Sequence, residues 1–149
     1  MTEDEIYSVL NEIITDDSVR FFSTLCSTFE KPSLDNRTKK IFSDDDLNFI
    51  QRQIDVLSNM TIKPDKIKRA GWRTLEKKNI SPYAKTIPTC SDTIMHSYFS
   101  FPLISSDRKK VIFKIGHGGG FMVGGQEIYL FEKKNNKWVL IDTWDVIVV

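Results

Sequence analysis

Apolar residues recur with a helical period early in the chain and with a strand period late in it. Thr2 and Glu5 stand at capping-box spacing, and Ile6, Val9, Leu10, Ile13 and Ile14 follow at i, i+3, i+4, i+7 and i+8. One apolar stripe of that kind predicts an amphipathic helix, closed by Asp16-Asp17-Ser18. A second helix is marked more strongly. Ser43 is the expected N-cap, and Asp44, Asp45 and Asp46 place carboxylates at the positive end of the helix dipole. Phe42 and Leu47 occupy the positions of a hydrophobic staple. Leu47, Ile50, Ile54 and Leu57 form its buried stripe, with Phe49 and Val56 widening it.

Between these helices, residues 19–29 are rich in β-branched and aromatic residues and read as a strand, with a helix as the alternative. Residues 30–40 are polar, carry Pro32 and Asn36, and read as a loop. Residues 58–92 are punctuated by Pro64, Gly71, Pro82 and Pro88, with a short helix expected near 65–70 or 73–78. From Thr93 onward the period is two. Strands are predicted near 94–103, 109–116, 125–133 and 137–148, with turns at Ser105-Ser106-Asp107 and Lys134-Asn135-Asn136. The pattern predicts one α+β domain over residues 1–149. Two N-terminal amphipathic helices pack on an antiparallel β-meander of about four strands, with residues 19–29 as an added strand.

Length agrees, since 149 residues supply one core and would make two undersized ones. A formal net charge of +1 gives no global field toward nucleic acid or an anionic membrane. No run approaches the ~20 apolar residues of a membrane span, and the acidic start is unlike a secretory signal. The chain as written therefore reads as soluble and cytoplasmic, and it is compatible with a leader or lipoprotein signal removed beforehand. Cys26 and Cys90 are too few for a disulfide framework. Two buried thiols are the simpler reading, with a single bridge as the alternative.

The most unusual local feature is a window, 116–125, that holds six of the seven glycines, among them Gly116-His117-Gly118-Gly119-Gly120. Converging backbone N–H groups there could bind an anion. Gln126-Glu127 follows the last glycine, however, where a P-loop needs Lys-Ser/Thr, and no Gly-x-Ser-x-Gly elbow accompanies the esterase-like His-Gly-Gly-Gly. A mobile or bulged hairpin loop is favoured, and the anion nest stays open. The two histidines, His96 and His117, have no metal-ligand spacing with each other or with a cysteine. His96 alternates with Tyr98 on one strand face and could line a pocket. Asp44-Asp45-Asp46 fan out around a helix and cannot converge on one cation unaided. Lys63, Lys66, Lys68, Arg69, Arg73, Lys77 and Lys78 surround Trp72, a pattern that can serve nucleic acid but reads here as a solvated surface.

The stretch Ser100-Phe101-Pro102-Leu103-Ile104-Ser105 precedes a lysine-bearing turn and Val111-Ile112-Phe113-Lys114. After the glycines come Ile128-Tyr129-Leu130-Phe131-Glu132-Lys133 and Asn136-Lys137-Trp138-Val139-Leu140. With the helix opening Phe42-Ser43-Asp44-Asp45-Asp46-Leu47-Asn48-Phe49-Ile50, this ordering resembles small uncharacterised proteins of Bacteroidetes bacteria, some of them lipoproteins. The shared motifs are structural and carry over no functional residue. The Asn136-Lys137-Trp138 turn is also similar, over a few residues, to the final hairpin of the nuclear-transport-factor-two-like superfamily. That resemblance implies a pocket between the helices and a curved sheet.

Three function classes follow. The first is a non-catalytic binding or interaction protein, of an immunity or accessory kind, with a protein partner. The second is a small-molecule binder or enzyme with a cavity between helix and sheet, lined by His96, Tyr98, Trp138 or Trp144. The third, a nucleic-acid binder using residues 63–78, is disfavoured. No nucleophile–base constellation is legible, so the reading leans away from an enzyme. No catalytic residue, metal ligand or cofactor is assigned, and His96, Tyr98, His117 and Trp144 are the candidate ligand-binding residues. Trp138 is expected in the core.

Overall fold

The structure, a computed structural model, describes residues 2–19, 24–26, 34–57, 63–68, 73–75, 96–118 and 125–146. Helix α1 spans Glu3–Ile14 and buries Ile6, Tyr7, Leu10, Ile13 and Ile14. The expected capping box is present. Thr2 Oγ1 accepts from the Glu5 amide at 3.2 Å, and the Glu5 carboxylate accepts in return from the Thr2 backbone. The same carboxylate also accepts from Arg108 Nε at 2.9 Å, an ion pair to a distant turn.

Helix α2, Asn36–Ile41, takes the second half of the stretch expected as a loop over 30–40, whose residues 30–33 lie outside the described residues. Its signal is Asp35, whose carboxylate caps the helix by accepting from the Thr38 amide at 2.8 Å. Helix α3, Asp44–Leu57, follows almost at once. Ser43 caps it as expected, its Oγ accepting from the Asp46 amide at 3.2 Å. Ile50, Ile54 and Leu57 are buried and Leu47 is half-buried, but Val56 is 75% exposed and leaves the stripe. Buried Gln53 belongs to the stripe instead. Its side-chain amide donates to the Ile104 carbonyl (2.6 Å) and accepts from the Ile104 amide (3.1 Å), satisfying both backbone groups of that residue. The short helix expected after residue 64 is a 3₁₀ turn at Pro64–Lys66, and residues 73–75 are strand rather than helix.

The sheet has seven strands: β1 (Thr24–Cys26), β2 (Arg73–Leu75), β3 (His96–Phe99), β4 (Leu103–Ile104), β5 (Lys110–Gly118), β6 (Gln126–Lys134) and β7 (Lys137–Val146). Their order is β2-β1-β3-β5-β6-β7, with β4 also paired to β5. Strands β3 to β7 pair antiparallel and form the meander. The strand expected in 19–29 exists as β1, but it runs parallel to both β2 and β3. The side-chain facing in β1, and both cysteine sulfurs, lie outside the described residues. The single strand expected over 94–103 is split into β3 and β4 around Ser100, Phe101 and Pro102. Gly116, His117 and Gly118 belong to β5, so the glycine-rich hairpin loop is shorter than expected; residues 119–124 lie outside the described residues.

Strand β5 is buried on both faces. Val111, Phe113 and Ile115 pack with α1, Phe99, Phe101, Tyr129 and Phe131. Ile112 packs with Phe42, Ile50 and Ile54 and with Leu103, Ile128 and Leu130. The α1 helix and the α2–α3 pair therefore serve opposite faces of the meander, with Leu57 reaching round to the α1 side. No helix is long and apolar enough to cross a membrane. Truncating Ile50 to Ala is expected to cost about 2–5 kcal/mol in chemical denaturation. Val56→Ala should change stability by less than about 0.5 kcal/mol. Equal effects at the two positions would contradict this packing.

Candidate functional site

Register divides the four residues singled out from the sequence between the two faces of the sheet. Register puts Ser97 opposite His117 and Tyr98 opposite Gly116. Residues opposite each other share a face, so His117 lies on the α1 side and Tyr98 on the α2–α3 side. Trp144 also lies on the α2–α3 side, opposite Ile128. His96 is placed by its backbone opposite Gly118.

Tyr98 is buried, and its ring covers Gly116 so closely that a methyl group there would overlap it. Its hydroxyl accepts from Gln126 Nε2 at 3.4 Å. This tyrosine is thus engaged with the sheet itself. On the other face, Ser97 Oγ and His117 Nδ1 share a hydrogen bond of 2.8 Å. Sequence reasoning missed this pair, which lies 20 positions apart and is joined only by the β3–β5 register. The geometry is that of a nucleophile and base, but Ser97 is 0% exposed and sits where no substrate carbonyl can approach. Among the described residues the α1 side of the sheet is packed with aromatic side chains: Phe99, Phe101, Phe113 and Phe131 are all fully buried there.

Trp144 belongs to a polar network at the margin of the sheet. Its indole donates to Asp35 at 3.0 Å. Arg37 lies over the Trp144 ring at 4.5 Å and pairs with Asp142 at 2.6 Å. Burial alone would raise the Asp35 pKa. Hydrogen bonds from Thr38 and Trp144, together with the charge of buried Lys114, outweigh it and hold the carboxyl below its usual range. The basic run beginning at Lys63 is partly neutralised at home. Lys63 pairs with Glu3 at 2.6 Å and Lys66 with Asp4 at 3.0 Å. Asn11 clamps the same segment, donating to the Lys66 carbonyl and accepting from the Lys68 amide.

Among the described residues, the β6–β7 hairpin is open to solvent. Asn135 and Asn136 both have positive φ, 50° and 62°, the two-residue turn whose twist suits a hairpin. Strand β7 ends the sheet order, and among the described residues nothing pairs with its outer edge. Along it Val139 is 39% and Ile141 42% exposed. Trp138 is half-buried against the α1-side core, short of the core position expected for it, with Lys133 over its ring at 5.4 Å. Ile141 is an extra residue: Leu130 pairs with Asp142 and Phe131 with Leu140, leaving a β-bulge between. At the hairpin tip, Lys133 donates its amide to the Lys109 carbonyl at 2.8 Å, joining the 105–109 turn to this end. A cleft of about 420 Å³ lies there, lined by Asp107, Arg108, Lys109, Lys133, Asn135 and Asn136.

The chain matches no protein-family model, and neither a curated protein nor a solved structure is similar enough to count as a match.

Two outcomes are expected. Gly116→Ala should destabilise the fold by about 1–3 kcal/mol through overpacking, and Tyr98→Leu in the same chain should recover part of the loss. Denaturation of the single and double variants checks this; strict additivity would contradict it. Because the folded-state pKa of Asp35 is depressed, its charge stabilises the fold above the unfolded value of about 3.9. That contribution fades as pH falls through the lower folded value. Asp35→Asn keeps a capping oxygen, so its stability deficit should be full at pH ~7 and shrink below about pH 4. A deficit independent of pH would count against the charge.

Proposed function

We propose that this chain is a non-catalytic interaction protein that docks a polypeptide partner along the open edge of β7. The observation that carries the reading is a ten-residue strand at the end of the sheet order, with an outer edge that no described residue pairs and with exposed Val139 and Ile141. Unpaired edges invite another strand, and folded proteins usually cover or blunt them. The aromatic packing on the α1 side supports this reading over a ligand pocket between α1 and the sheet. The depth of Ser97 supports it over hydrolysis, and the neutralised Lys63 and Lys66 support it over nucleic-acid binding. An accessory or immunity role needs only such a surface and no chemistry of its own.

Photo-crosslinking side chains placed singly at Val139, Ile141 and Lys40 in the producing cells test the reading. A discrete adduct is expected from the two β7 positions and none from Lys40, which is exposed on α2. Absence of any β7 adduct, or the same adducts from all three positions, would remove the support.

A further inference from the structure

We infer that the segment received by β7 is extended and acidic at one end, with its carboxylates set against Lys109, Lys133, Lys134 and Lys137. This rests on the reading of β7 as a docking edge and names the chemistry of its occupant. The four lysines are exposed at the hairpin tip. Their basic neighbour Arg108 is paired with Glu5, and Asp46 feels the charge of Lys110. Asp107 feels the charge of Lys109, and among the described residues no carboxylate forms a salt bridge with Lys133, Lys134 or Lys137. Lys134 and Lys137 face each other directly in the β6–β7 register, and Lys109 is held beside Lys133 by a backbone bond. Like charges directly opposite repel. Carboxylates brought between them would relieve that repulsion, in a protein whose overall charge of +1 gives no wider field.

The bulge sets where the partner lies. Regular pairing along β7 is interrupted at Ile141, leaving 137–140 as an unbroken stretch at the lysine end. Past the bulge, Asp142 is already neutralised by Arg37, whose guanidinium covers Trp144. The open edge is therefore apolar in its middle and cationic at the tip. A polypeptide strand answers all of this at once: its backbone pairs with β7, its apolar side chains meet Val139, and its acidic end meets the lysines. A nucleic acid would answer only the charge. A lipid surface would leave the strand-edge N–H and C=O groups unpaired.

The test titrates the full chain with a synthetic peptide carrying a run of glutamates followed by alternating valine and threonine. Two controls replace the glutamates with lysines or interrupt the alternation with prolines. The acidic peptide should bind in a salt-sensitive way, both controls should bind at least about tenfold more weakly, and the Trp138 emission should shift. A chain carrying Lys134→Glu and Lys137→Glu should lose about tenfold for the acidic peptide and gain for the lysine peptide. Both positions are exposed, and unchanged thermal unfolding of that variant confirms its fold. Three results overturn the inference: no binding of the acidic peptide, binding that survives the charge reversal, or equal binding of the proline-interrupted peptide. Equal uptake of the proline peptide would mark the tip as a general polyanion surface. If the acidic peptide fails while crosslinks from Ile141 persist, only the acidic-strand assignment falls; if both fail, the docking edge falls with it.

Discussion

The arrangement depends on β5 being buried on both faces. Val111 through Gly116 are all buried, and alternate side chains go to different helices. A shift of one residue in its pairing would send Phe113 and Ile115 to the α2–α3 side and Lys114 into the α1 side. The register with β3, β4 and β6 is held by that exclusion. It also decides what each helix must be. α1 needs a continuous apolar face because its side of the sheet is aromatic, whereas α3 can carry Gln53 in its buried stripe because the split between β3 and β4 leaves Ile104 backbone groups to satisfy.

The polar residues inside the sheet follow from the same constraint. Tyr98 lies flat over the sheet only because residue 116 has no side chain. Ser97 and His117 end up hydrogen-bonded because they stand opposite each other on the α1 side. Asp35 is held to the sheet margin by Trp144, and its cap on α2 brings Arg37 to Asp142. These contacts fasten the short helix to β7 beyond the bulge. The lysine end is joined to the 105–109 turn by one backbone bond, and its lysine side chains stay exposed. The two ends of one strand thus differ in character, one tied into the fold and one facing outward with charge and apolar surface together.

Local chemistry made much of this legible in the sequence. The α1 stripe, the Ser43 cap with its staple, the hairpin at Asn135-Asn136 and the period-two run after Thr93 each arise from neighbours a few positions apart. Their physics does not wait for the rest of the chain. The reading failed where distant groups compete. Glu5 took on Arg108 as a second partner beyond its capping box, Val56 was displaced from the buried stripe by Gln53, and α2 was hidden in a polar stretch whose only marker was one capping aspartate.

What the sequence determined by itself is the α+β class, the two main helices and the hairpin order of the last strands, because periodicity and caps are properties of short segments. Only the tertiary structure decided the faces and edges. The parallel placement of β1, the assignment of α1 and α3 to opposite sides, the Ser97–His117 pair and the exposure of β7 all depend on register between strands far apart in sequence. The candidate residues separated for the same reason. Alternation along one strand tells which residues share a face, but only pairing across strands tells which face the helices will cover and which edge remains open.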